Sequence, residues 1–216
     1  MPATECNAIR NGLLGNDTVG FLSRNVIRTS TVSESGFPTS ATRSFDFTNE
    51  GQTFQSGTVY DHVSPENPSL INGLLDVFYL PWGMNSGYYI ILEPQGGPDI
   101  MMTATMSGCS VGYVRSDDGA VRVSHHNIKT LDMNTAQRRT LAFAENALHP
   151  SDYYHGIAEN RGEITFVSEG FGYVFGVRRK GQWTMYQQTV SDWRERDKWT
   201  GVMIASAITI TSAAIF

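Results

Sequence analysis

Cys109-Ser-Val-Gly-Tyr-Val-Arg-Ser116-Asp117-Asp118-Gly119-Ala120-Val-Arg-Val-Ser-His125-His126 is the stretch from which the fold can be read. Ser116 to Gly119 has the chemistry of a three-residue hairpin loop, a type I turn closed by a left-handed glycine as a G1 bulge. Ser116 then pairs with Ala120, and facing residues have numbers that sum to 236. In that register Val111, Tyr113, Val121 and Val123 share one apolar face with Cys109 and His125. Ser110, Arg122, Ser124 and His126 fall on the other face, which reads as solvated. Cys109 lies opposite Asn127, with His125 diagonal to it at about 7–8 Å along the backbone, within side-chain reach. A two-residue turn would invert the parity and bring His126 to the thiol instead. The Asp-Asp-Gly loop favours His125.

Cys6 and Cys109 are the only cysteines. They are too few for a disulfide framework, and a bridge between them would consume the best nucleophile in the chain. A cysteine without context reads as a small buried hydrophobe. Beside an imidazole it becomes the minimal apparatus for attack on an amide or acyl carbon. Thr103 lies six residues before Cys109, so in a continuous strand it points to the same side. Its hydroxyl is placed to orient the imidazole as the third group of a triad does, although a β-favouring threonine has the same appearance. Asn127 is the other candidate orienting group. His62, His149 and His155 share no metal-ligand spacing with each other or with Cys109, so no metal site is expected.

The 216 residues suffice for a single domain over 1–216, and no repeat or linker divides them. A net charge of −5 argues against nucleic acid as a direct ligand, because phosphate binding needs a basic face. Met1 to Gly15 has no apolar signal-peptide core. The apolar run from Gly201 to Phe216 is too short for a membrane helix, and its Ile-Thr-Ile-Thr alternation suits a buried terminal strand.

Other elements follow from local signals. Residues 4–15 read as a short helix with Ile9, Leu13 and Leu14 on one side. Residues 16–60 contain short β-like runs, and Asp61 to Asn72 is a Pro-marked loop. Leu74 to Leu80 and Ser86 to Leu92 read as strands. The clearest helix is expected at 135–148, capped by Asn134 or Thr135 and stopped by Pro150. Strands are expected again at Glu163–Val167, Gly172–Val177 and Gln182–Gln188. Asp192 to Lys198 reads as a solvated turn or short helix.

Thr103 followed by Met106-Ser107-Gly108-Cys109, with a histidine on the next strand, resembles the bacterial toxin glutamine deamidases. These are the family of the cytotoxic necrotizing factor catalytic domain and Burkholderia lethal factor. Tyr79-Leu80-Pro81-Trp82 and Gln182-Trp-Thr-Met-Tyr-Gln187 resemble stretches of the lethal-factor branch. The spacing from cysteine to histidine is longer here. His125-x-Asn127 fits the family pattern, whereas His126-x-Ile128 does not.

The resemblance implies an α+β fold, a sandwich of two mixed β-sheets flanked by helices and loops. It implies a Cys109 nucleophile, a His125 general base and acid, and Thr103 as third member. Ser107, Gly108, Asn127 and Trp82 become candidate oxyanion and substrate-binding positions, Trp82 being equally suited to plain core packing. No cofactor is implied. The substrate would be a host protein, the RNA helicase eukaryotic translation initiation factor 4A first and a Rho-family GTPase second. The remaining expectations are no membrane partner, a monomer, and a secreted or injected effector acting in the host cytosol.

Overall fold

The computed structural model describes residues 2–29, 42–61, 73–81, 86–106, 109–127, 145–148, 157–161, 164–200 and 203–215. The expected loop at 62–72 and most of the expected helix at 135–148 lie outside these residues. Two helices, α1 (Pro2–Leu14) and α2 (Thr18–Arg24), precede β1 (Val26–Arg28), β2 (Thr42–Glu50), β3 (Thr53–Asp61) and β4 (Leu75–Leu80). Next come β5 (Ser86–Leu92), β6 (Ile100–Thr103), β7 (Ser110–Arg115), β8 (Val121–Asn127) and β9 (Glu145–Leu148). The chain continues with β10 (Ile157–Arg161), β11 (Ile164–Arg179), β12 (Gln182–Asp197) and β13 (Met203–Ala214). The fold is mostly β.

The larger sheet has the order β1-β3-β2-β4-β6-β11-β12-β13, with β10 beside β11. It is mixed, because β1 with β3 and β4 with β6 are parallel pairs. The smaller sheet, β5-β8-β7-β9, is antiparallel throughout, so only one of the two sheets is mixed. Side-chain alternation along the central strands sends residues to two separate cores. Val77 and Tyr79 of β4, Ile100 and Met102 of β6, and Tyr173 and Phe175 of β11 join Ile9, Leu13 and Leu22 of the helices. Their neighbours Leu80, Met101 and Val174, with Trp183 and Met185 of β12, join Ile90, Leu92, Val111, Val121 and Val123 of the smaller sheet. The larger sheet thus has helices on one face and the smaller sheet on the other. Each such fully buried aliphatic or aromatic side chain contributes about 1.5–3 kcal/mol.

Buried and half-buried polar side chains tie the layers together. Arg179 of β11 donates from Nη2 to the Leu13 carbonyl at 2.7 Å and from Nε to that of Leu14 at 3.3 Å. A cation there satisfies acceptors left open at the C-terminus of α1 and complements the helix dipole. Gln188 of β12 accepts from the Ile27 amide at 3.4 Å and donates to the Asn25 carbonyl at 2.8 Å. One end of the larger sheet, β1, is tied in this way to β12, the strand next to its other end.

Several local expectations hold. The first helix, the strands at β4 and β5, and the hairpin at β7–β8 all form. Others are overturned by long-range pairing. Glu145–Leu148, the end of the expected helix, is strand β9, because its backbone pairs with the edge of β7 (Val111↔Leu148, Tyr113↔Glu145). Asp192 to Asp197 belongs to β12, whose backbone is paired on both sides by β11 and β13. Asp192 itself is buried against Arg28, with an N–O separation of 3.8 Å. The separate strands expected at 163–167 and 172–177 are one strand, β11, which turns through the left-handed Lys180 and Gly181 into β12. Helix α2 is an addition, capped where Asp17 Oδ1 accepts from the Gly20 amide at 2.9 Å. The terminal strand β13 forms but is not buried: it ends the sheet, and Ile208 is 39% exposed.

Candidate active site

The turn sets the site. Gly119 sits at φ +87°, its amide donates to the Ser116 carbonyl at 3.0 Å, and the Ser116 amide donates to the Ala120 carbonyl at 2.9 Å. Asp118 locks the loop, accepting from the Ala120 amide at 3.0 Å and the Ser116 hydroxyl at 2.7 Å. These bonds hold its carboxyl below the usual carboxylate range, the Ala120 amide being the larger cause. The resulting register pairs Ser110 with His126 and Val111 with His125, as the loop chemistry predicts.

His125 is flanked in the sheet by Val111 of β7 and Tyr88 of β5. Val111 and Tyr88 both pack in the core between the sheets. Cys109 directly precedes Ser110, the first residue of β7, and packs with Val111 in the core between the sheets. Cys109 is 6% exposed and His125 1%. His126, one residue on, pairs with Ser110, and its side chain lies outside the described set. Of the face expected to be solvated, Arg122 is exposed, but Ser124 is buried, with its hydroxyl donating to the Gly112 carbonyl at 3.3 Å.

Thr103 reaches the same interlayer space from the larger sheet. Ile100 and Met102 face the helices while Met101 faces the smaller sheet, so Thr103 shares the side of Met101. It is 1% exposed, and its Oγ1 accepts from the Val174 amide at 3.0 Å. A hydroxyl that accepts there keeps its own O–H to donate. Strand order and alternation therefore bring Thr103, Cys109 and His125 to one layer between the sheets.

The segment leading to the thiol is pinned at Ala104, Thr105 and Met106. The Ala104 amide donates to the Leu80 carbonyl at 2.9 Å, and Met106 exchanges two hydrogen bonds of 2.9 Å with Gly172. Thr29 donates to the Thr103 carbonyl and accepts from Thr105 Oγ1, each at 2.8 Å. Sequence reasoning missed Thr29, Gly172 and Val174. Nothing local marks them, since each acts across a large sequence separation.

Ser107, Gly108 and Trp82 lie outside the described residues, as do His62, His149 and His155. Asn127 ends β8, and its side chain is likewise outside the described set. Among the described residues no three His, Cys, Asp or Glu side chains form a metal-ligand group. No described helix is long and apolar enough to cross a membrane. Cys6 is unlike Cys109: it packs in the helix-side core, donates to the Phe45 carbonyl at 3.5 Å, and has its thiol pKa pushed up chiefly by burial.

No protein-family model and no curated protein sequence matches this chain. Among solved structures it is similar to the C-terminal domain of CNFy, a cytotoxic necrotizing factor from Yersinia pseudotuberculosis. The two are 11% identical with a TM-score of 0.38, over 96% of this chain and 98% of that one. A likeness of that size transfers neither site residues nor activity, so the chemistry rests on the chain's own side chains.

Proposed function

We propose that this chain is a cysteine-dependent protein-glutamine deamidase. One observation supports it above the others: the hairpin register and the parity of β6 converge a thiol, an imidazole and a hydroxyl in one layer between two sheets. In this reading His125 takes the Cys109 proton and the thiolate attacks the side-chain carboxamide carbon of a substrate glutamine. The Cys109 amide and a neighbouring loop donor around Ser107 and Gly108 receive the developing oxyanion. His125 returns the proton to departing ammonia, which leaves a thioester. Water, deprotonated by the same imidazole, then releases glutamate and restores the thiol. Histidine suits both transfers because it titrates near neutrality. Thr103 holds the imidazole.

The substrate proposed first is a host translation-initiation RNA helicase, on the strength of the lethal-factor-like stretches Tyr79–Trp82 and Gln182–Gln187. A Rho-family GTPase comes second. A reducing cytosol suits a catalytic thiol, so the chain is read as a toxin or effector delivered there. An amine replacing water would make the same site a transglutaminase. Intact mass separates the two, because deamidation adds about one mass unit and transamidation adds the whole amine.

The deciding experiment exposes eukaryotic cell extract to the wild type and to Cys109→Ser, then maps glutamine-to-glutamate conversions across the proteome. Conversions confined to the wild type are expected, and none at any site would overturn the proposal. A second reading, a non-catalytic β-rich binding module, is favoured by the burial of Cys109 at 6% exposed. It requires Cys109 to alkylate as slowly as Cys6 at neutral pH, whereas a catalytic thiol alkylates much faster.

A further inference from the structure

Strand β13 ends the larger sheet, and among the described residues its far edge has no strand partner. The Ile215 amide donates to the Met185 carbonyl at 2.8 Å, the strand facing β12 in the register Gln187↔Ala213, Thr189↔Thr211, Ser191↔Thr209. In an antiparallel ladder hydrogen-bonded pairs alternate with non-bonded ones. Odd-numbered residues of β13 therefore bond to β12, and Ser206, Ile208, Ile210 and Ser212 present their amides and carbonyls outward. Such an edge is normally blunted by charges or proline. Here no charged residue and no proline occurs between Trp199 and Phe216. Ile208 is 39% exposed, and Val19, whose carbonyl accepts from Ser212 Oγ at 2.9 Å, is 37% exposed.

The order of residues says what fits the edge. Around Thr209 the strand reads nearly the same in both directions: Ile208 mirrors Ile210, Ser206 mirrors Ser212, and Ala205 mirrors Ala213. Only Ala207 against Thr211 breaks the symmetry within that span. We propose that β13 pairs antiparallel with β13 of a second copy about a two-fold axis at Thr209, joining two larger sheets into one.

The register that satisfies this symmetry sets Ile208 against Ile210 of the partner and Ser206 against Ser212. All four are residues whose backbone groups face outward, so parity and palindrome agree. Four such pairs across the dyad supply about eight backbone hydrogen bonds. Ile208 meets Ile210 on one face and Thr209 meets its own copy on the other, the like-with-like pairing an isologous contact needs. The arrangement departs from the monomer expected from sequence.

Sedimentation of the full chain from nanomolar to high micromolar concentration tests the pairing, with a rise from monomer to dimer mass expected. Ile208→Pro removes an outward amide while leaving the β12 ladder intact, as edge prolines do. It should weaken association at least tenfold (a ~1.4 kcal/mol threshold). Thr209→Cys provides an independent readout. The dyad brings the two Cα atoms to about 4.5 Å, within disulfide range, whereas two copies of Thr211→Cys stand about 13 Å apart. Oxidation should cross-link the first and not the second. A wild type that stays monomeric at high micromolar concentration overturns the proposal. Monomers whose β13 outward amides resist hydrogen exchange also overturn it, showing that the chain's own residues cover the edge. So does equal cross-linking of the two cysteine variants.

Discussion

Replacing Thr103 by valine removes the Oγ1 that accepts from the Val174 amide at 3.0 Å, with almost no change of shape. Thr103 is 1% exposed and Val174 2%, so water cannot take over the bond without opening the layer between the sheets. A buried donor left without its acceptor costs about 1–3 kcal/mol. For a chain of this size each kcal/mol lowers Tm by about 2–4 °C, so the loss should fall between about 2 and 12 °C. Thr103→Ser keeps the oxygen and should recover most of it, losing only the methyl packing. The measurement is thermal and urea unfolding of the three proteins. The urea m value should be unchanged, because the surface exposed on unfolding is the same. If Thr103 also holds His125, the valine variant additionally loses glutamine conversion at temperatures where it is fully folded, and serine restores it. A valine variant as stable as the wild type would refute the reasoning, since the Val174 amide would have to be satisfied without Thr103.

Two further outcomes test the turn that sets the register. Gly119 sits at φ +87°, and a Cβ added there would meet only Pro94 Cγ, at 3.6 Å, so Gly119→Ala should cost about 1–2 kcal/mol from backbone strain alone. Urea unfolding showing no loss would contradict the left-handed assignment. The Asp118 carboxyl should titrate below its ordinary value of 3.8, and Ser116→Ala should move its midpoint upward, as read by carboxyl NMR. Because the folded-state pKa is the lower one, the turn's contribution is present above that ordinary value and is lost as pH falls through the depressed midpoint. An unshifted midpoint would mean that the carboxylate does not accept the Ala120 and Ser116 hydrogen bonds.

The hairpin was legible because its determinants are neighbours. Ser116, Asp118 and Gly119 specify one turn through bonds spanning a few residues, and that turn dictates every pair from Ser110↔His126 to Arg115↔Val121. The same holds for α1 and for β4 and β5, where short apolar patterns match the observed elements. The errors share a cause as well. Glu145–Leu148 has good helical composition, yet its backbone pairs with β7. Asp192 to Arg196 is rich in charge, yet β11 and β13 pair with its backbone on both sides. In each, hydrogen bonds from distant strands outweigh preferences worth only tenths of a kcal/mol per residue.

The candidate site divides in the same way. Turn chemistry, which is local, was enough to fix the register that pairs Val111 with His125 and Ser110 with His126. The larger sheet alone decided what Thr103 does: its strand runs beside β11, so its hydroxyl receives the Val174 amide from 71 residues away. Long-range order likewise braced the cysteine strand with Thr29 and Gly172. It also left β13 at the end of the sheet, although its composition reads as a buried strand. A chain can write its turns into adjacent residues. Which strands become neighbours, and which remain at an edge, depends on how distant segments share their backbone hydrogen bonds and apolar faces.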